Sequence, residues 1–74
     1  MDKEKLIDYA LQKAWWFMQY QTTENYFYMK GYLKCLSDLG IKVVYDGSNP
    51  FCLSITIDGR KFLVGDTENA QSDN

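Results

Sequence analysis

The stretch Thr23–Ile41, T-E-N-Y-F-Y-M-K-G-Y-L-K-C-L-S-D-L-G-I, decides how this chain folds. Tyr28, Met29, Tyr32, Leu33, Leu36 and Leu39 recur at steps of three and four. That spacing gathers side chains on one side of an α-helix. Lys30, Lys34, Ser37 and Asp38 fall on the other side. Thr22 or Thr23 can cap the start, and Glu24 suits the positive end of the helix dipole. Gly40 supplies a left-handed residue just past the end, which sets Ile41 against Leu36 in a Schellman ending. One glycine thus stops a helix and launches the strand that follows. Gly31, inside the helix, is unfavourable by about 1 kcal/mol relative to Ala. Its expected role is close approach of a neighbouring helix or ring.

Upstream, residues 2 to about 21 read as a first helix. Ile7, Ala10, Leu11, Ala14, Phe17 and Met18 form its apolar stripe, with Trp15 on the edge. Tyr9, Trp16 and Tyr20 align on a flank away from that stripe. Either this flank is buried against the second helix and a sheet, or it is an exposed interface strip. Gln21, Thr22 and Thr23 join the helices without Gly or Pro. So short a connection makes the helices antiparallel neighbours. One continuous helix is the alternative, and it would require a dimer.

Downstream, Ile41–Tyr45, Phe51–Ile57 and Arg60–Val64 alternate as strands. Asp46–Pro50 is a turn by composition, and Asp58-Gly59 is a strong two-residue hairpin signal. The second turn pairs Ile57 with Arg60, Ile55 with Phe62 and Leu53 with Val64. A five-residue loop at 46–50 would pair Tyr45 with Phe51, Val43 with Leu53 and Ile41 with Ile55. Both registers put Ile41, Val43, Phe51, Leu53, Ile55, Ile57, Phe62 and Val64 on one face. Lys42, Val44, Cys52, Ser54, Thr56, Lys61 and Leu63 share the wet face. The predicted fold is α+β: a two-helix hairpin packed on one face of a three-stranded antiparallel meander, in the order α-α-β-β-β. Residues 1–65 form a single small domain. Residues 66–74 are an acidic tail too polar to bury anything, and are expected to be disordered.

With 74 residues the chain buries only about 60% of its unfolded surface. A core of this size typically contributes ~3–5 kcal/mol, so a staple or a partner is expected. Two cysteines and no histidine make neither a disulfide scaffold nor a usual zinc site. What the chain has is aromatic mass: two Trp, six Tyr and four Phe. Oligomerisation, with a homodimer as the simplest form, is the remaining source of stability.

The N-terminus has mixed charge and no continuous apolar core, so no signal peptide or membrane span is read. The expected location is the cytoplasm, with reduced thiols. The formal charge is −2, and setting aside the three carboxylates of the tail leaves +1. A nearly neutral folded part argues against electrostatically driven DNA binding.

Catalysis is poorly provisioned. Without histidine the usual general base near neutral pH is missing, and no Ser-His or Cys-His pair can form. Cys35 reads as a small core residue and Cys52 as an inert thiol on the wet face. Asp46 and Asp58 satisfy backbone groups in their turns. No phosphate loop is present, and neither a metal nor a cofactor is expected.

The expected function is therefore that of a small, non-enzymatic protein-interaction module: a homodimer, or an inhibitor or adaptor that binds a larger protein. Tyr9, Trp16, Tyr20 and Phe27 are the candidate contact residues, since Trp and Tyr are the commonest interface anchors. Small acidic chains without histidine are frequent among phage and mobile-element proteins. A blocker of a host defence nuclease would have this size and charge. The alternative is a nucleic-acid-associated regulator using a basic patch of Lys30, Lys34, Lys42, Arg60 and Lys61 on helix 2 and the sheet edge, with Tyr26 or Phe27. An enzyme or small-ligand binder is the third class.

Overall fold

A computed structural model describes residues 2–66 and has the element order α-α-β-β-β. Helix α1 spans Lys3–Gln19 and helix α2 spans Thr23–Asp38. Strands β1 (Val43–Asp46), β2 (Cys52–Ile57) and β3 (Arg60–Gly65) form an antiparallel meander in that order. The acidic tail beyond Asp66 lies outside the described residues.

Local chemistry sets each boundary. The Asp2 carboxylate accepts the Glu4 N–H and caps α1. Tyr20 turns extended, its carbonyl accepting the Thr22 N–H at 2.8 Å and the Asn25 side-chain amide at 2.9 Å. Thr22 Oγ1 then caps α2 by accepting the Asn25 N–H at 3.1 Å. The chain therefore reverses within three residues, and the continuous-helix alternative is not adopted. At the far end Gly40 has φ +87°. Its N–H donates to the Ser37 carbonyl at 2.9 Å and the Ile41 N–H to the Leu36 carbonyl at 3.1 Å. Both bonds of the Schellman ending are present.

The helices pack against one face of the sheet around a single core. Leu6, Ile7, Ala10 and Ala14 come from α1, and Met29, Leu33 and Leu36 from α2. Leu53, Ile55, Ile57 and Val64 come from the sheet. Close packing inside α1 falls to Ala10 and Ala14, both fully buried. Gly31 plays no such part: it is exposed, and a Cβ there would meet nothing within 4 Å.

The β2–β3 register is the expected one, built on a turn with Asp58 at φ 55° and Gly59 at φ 82°. The β1–β2 register is not. Val43 pairs with Ile57, Tyr45 with Ile55 and Asp46 with Ser54, four residues from the expected alignment. The cause lies in the loop. Asp46 Oδ1 accepts the Ser48 N–H and Asn49 Oδ1 accepts the Phe51 N–H, each closing a small turn. Pro50 and Phe51 are consumed by the loop, and Phe51 is exposed rather than on the core face. A slip of four is even, so Val43 and Tyr45 keep their face.

Five other residues are placed differently from expectation. Cys52 is buried, not wet, because its N–H donates to the Asn49 carbonyl at 3.4 Å and the loop folds back on the end of the strand. Cys35 is exposed, since α2 turns it away from the core. Tyr28 and Leu39 are also exposed, and Leu6 is buried though it lay outside the expected stripe. Helix α2 meets α1 and the sheet over Met29, Leu33 and Leu36, a narrower arc than the apolar stripe written in its sequence.

Candidate functional site

The aromatic flank of α1 is not covered by the sheet. Tyr9 is 50% exposed, Trp16 43% and Tyr20 59%. At 100° per residue these three lie within about 40° of one another around the helix. Lys13 falls beside them. The row runs along the solvent side of the seam between the two helices, where α2 meets it. The Tyr9 and Tyr32 rings are 6.2 Å apart, and Lys13 Nζ sits 5.8 Å from the centre of the Tyr28 ring. Trp16 stacks on Tyr20 at 5.5 Å with their planes 25° apart, and Trp15 meets Trp16 edge-on at 6.0 Å. At the far end of the seam, Leu6, Tyr32, Cys35, Asp38 and Leu39 line an apolar hollow.

The result is two groups of rings, Tyr9 with Tyr32 and Trp15 with Trp16 and Tyr20, each held in place by its own contacts. Each aromatic pair is worth about 0.5–1.5 kcal/mol beyond its area burial. Rings fixed before binding lose less side-chain entropy when a partner covers them. Phe27 does not belong to this face. It is 65% exposed, lies roughly 100° around α2 from Tyr28, and its ring meets Tyr26 at 5.7 Å. Tyr26 in turn packs edge-on against Phe17 and the core.

Sequence reasoning missed Tyr28 and Leu39 as parts of the face, because their helical spacing matched a core stripe. Their signal was present in the excess width of that stripe: six apolar positions are more than one helix of a two-layer domain can bury.

The five basic residues are not brought together. Lys30 and Lys34 line a groove between α2 and β1 with Leu33, Val43 and Tyr45. There Lys30 Nζ lies 4.4 Å from the centre of the Tyr45 ring, and Lys34 pairs with Asp38 at 3.2 Å. Burial, then the charges of Tyr26 and Asp46, raise the Tyr45 phenol above its ordinary value. Lys61 stands on the opposite, wet face of the sheet, and Lys42 precedes β1 with the parity of that face. Arg60 lies over the Phe62 ring and bonds Glu4 at 3.1 Å, at the α1 corner.

The titratable turn residues have structural partners. The Ser48 N–H holds the Asp46 carboxyl below its ordinary value. Lys3 does the same for Asp58, at 2.8 Å. Among the described residues no group of three Cys, Asp or Glu side chains converges as a metal site. No helix among them is long and apolar enough to cross a membrane. Comparison of the chain with protein-family models, curated proteins and solved structures gives no match.

Proposed function

We propose that this chain is a small non-enzymatic interaction module, an inhibitor or adaptor that grips a larger protein with the aromatic seam of its helical hairpin. One observation carries the reading. Tyr9, Trp16, Tyr20 and Tyr28 expose their rings along one side of the helical hairpin and lie outside the core, while Tyr32 beside Tyr9 packs against it. Exposed apolar patches of this kind mark interaction surfaces in soluble proteins. Tyr and Trp concentrate binding energy, and Lys13 and the tyrosine hydroxyls supply polar contacts within the patch. A phage or mobile-element origin, with a host defence protein as target, agrees with the chain's size and acidity. The nucleic-acid reading lacks the continuous cationic track that phosphates require, because its five basic residues are divided among the α2–β1 groove, the wet face of the sheet and the α1 corner.

The test is comparative capture from the source cell with immobilised wild-type chain and Trp16→Glu, followed by titration of the retained protein. Trp16 is 43% exposed, so the variant keeps native circular dichroism. The proposal expects a protein retained by the wild type and lost with the variant. Retention governed instead by Lys30 and Lys34, with a steep salt dependence, would transfer the function to nucleic acid.

A further inference from the structure

The outer edge of β3 is an unpaired strand edge of the sheet. The two-residue turn makes Ile57 and Arg60 a hydrogen-bonded pair, and the bonding direction alternates from there. Phe62 and Val64 therefore bond inward to β2, while Lys61, Leu63 and Gly65 point N–H and C=O outward. The Asp66 N–H donating to the Phe51 carbonyl at 2.8 Å keeps the same phase. Among the described residues no backbone group bonds to the outward set.

Natural sheets guard such edges by shortness, bulges, proline or charge. The β1 edge has only four residues, and α2 lies along it with Lys30 over Tyr45. The β3 edge has six paired residues, without a bulge or a proline, and Lys61 is its one charged guard on the wet face. Leu63 is 45% exposed there, and Leu11, Trp15 and Phe62 line a groove along the strand.

We propose that two copies of this chain join through their β3 edges in antiparallel register, giving one continuous six-stranded sheet. The strand is complementary to itself. A two-fold axis at Leu63 sets Leu63 opposite its own counterpart, Lys61 opposite Gly65, Phe62 opposite Val64 and Arg60 opposite Asp66. Every outward-pointing residue then meets an outward-pointing one. Apolar side chains meet apolar ones on the core face. No like charges are opposed. Shifting the register by one residue would set outward groups against inward ones and lose the bonds. None of Tyr9, Trp16, Tyr20 or Tyr28 belongs to the β3 edge, so the dimer does not depend on the proposed function.

Sedimentation equilibrium of the full chain tests this. Wild type and Trp16→Glu are expected to dimerise alike. Leu63→Glu replaces an apolar pair by two opposed carboxylates and weakens the dimer roughly tenfold. Leu63→Pro removes an outward N–H that β2 does not use, and gives a monomer. Should Leu63→Pro fail to fold, Leu63→Cys in a Cys35→Ser background gives the positive counterpart, a disulfide-linked dimer on mild oxidation. A wild-type chain that stays monomeric at high concentration overturns the proposal. So does a dimer that survives Leu63→Glu but is lost in Trp16→Glu, which would move self-association to the seam.

Discussion

Replacing Gly40 by valine tests whether one backbone conformation stops α2 and starts the sheet. The residue sits at φ +87°, and a Cβ there would meet nothing within 4 Å. The cost is therefore conformational, with no steric clash added. A left-handed conformation costs an L-residue about 1–2 kcal/mol, and β-branching puts valine at or above the top of that range. Ala gains back part of the cost by restricting the unfolded chain. The expected series is Gly40→Asn least destabilised, Gly40→Ala by ~1 kcal/mol and Gly40→Val by ~2 kcal/mol. In a domain of this size each kcal/mol lowers the melting temperature by about 4–8 °C. Denaturant midpoints and thermal melts of the four proteins measure the series. A Gly40→Val midpoint equal to wild type would show that the bonds of Gly40 to Ser37 and Ile41 to Leu36 do not depend on the left-handed residue.

Gly31→Ala should stabilise the domain by roughly 0.5–1 kcal/mol, because Gly31 is mid-helix and the added methyl has open space; a lowered melting temperature would reveal a packing role. Ile55→Val, in the fully buried centre of β2, should cost about 0.5–1.5 kcal/mol in urea unfolding, and no loss would place the core elsewhere. Lys3 holds the Asp58 carboxyl below its ordinary value of 3.8. The unfolded chain then binds that proton more tightly, so the pair's contribution is present above pH 3.8 and is lost as pH falls through the lower folded-state value. Lys3→Ala should remove that part of the acid-unfolding curve, and superimposable curves would contradict the pairing.

Local signals in the sequence were reliable where a single residue type determines the backbone. Gly40 gave the end of α2, and Asp58-Gly59 gave the β2–β3 register residue for residue. The β1–β2 register depends on a loop whose side chains close their own turns, which composition alone does not reveal. Asp46 and Asn49 cap backbone groups there and take Pro50 and Phe51 out of the strand. Parity survived because side-chain alternation has a period of two. Burial was harder to read. Met29, Leu33 and Leu36 are covered while Tyr28 and Leu39 on the same stripe are not. That choice depends on where α1 crosses α2, a property of the pair and not of either helix. For the same reason the alignment of Tyr9, Trp16 and Tyr20 was legible, whereas their exposure and their junction with Tyr28 and Tyr32 were not.

The proposed function stands on the aromatic seam being a binding surface and not part of the core. Calorimetric titration of the captured partner with wild type and with Trp16→Glu tests it most directly, once circular dichroism shows both folded. The expected affinity loss is at least about thirtyfold, the scale of a hot-spot residue, with the melting temperature nearly unchanged. Equal affinities would contradict it, as would a Trp16→Glu chain that no longer folds.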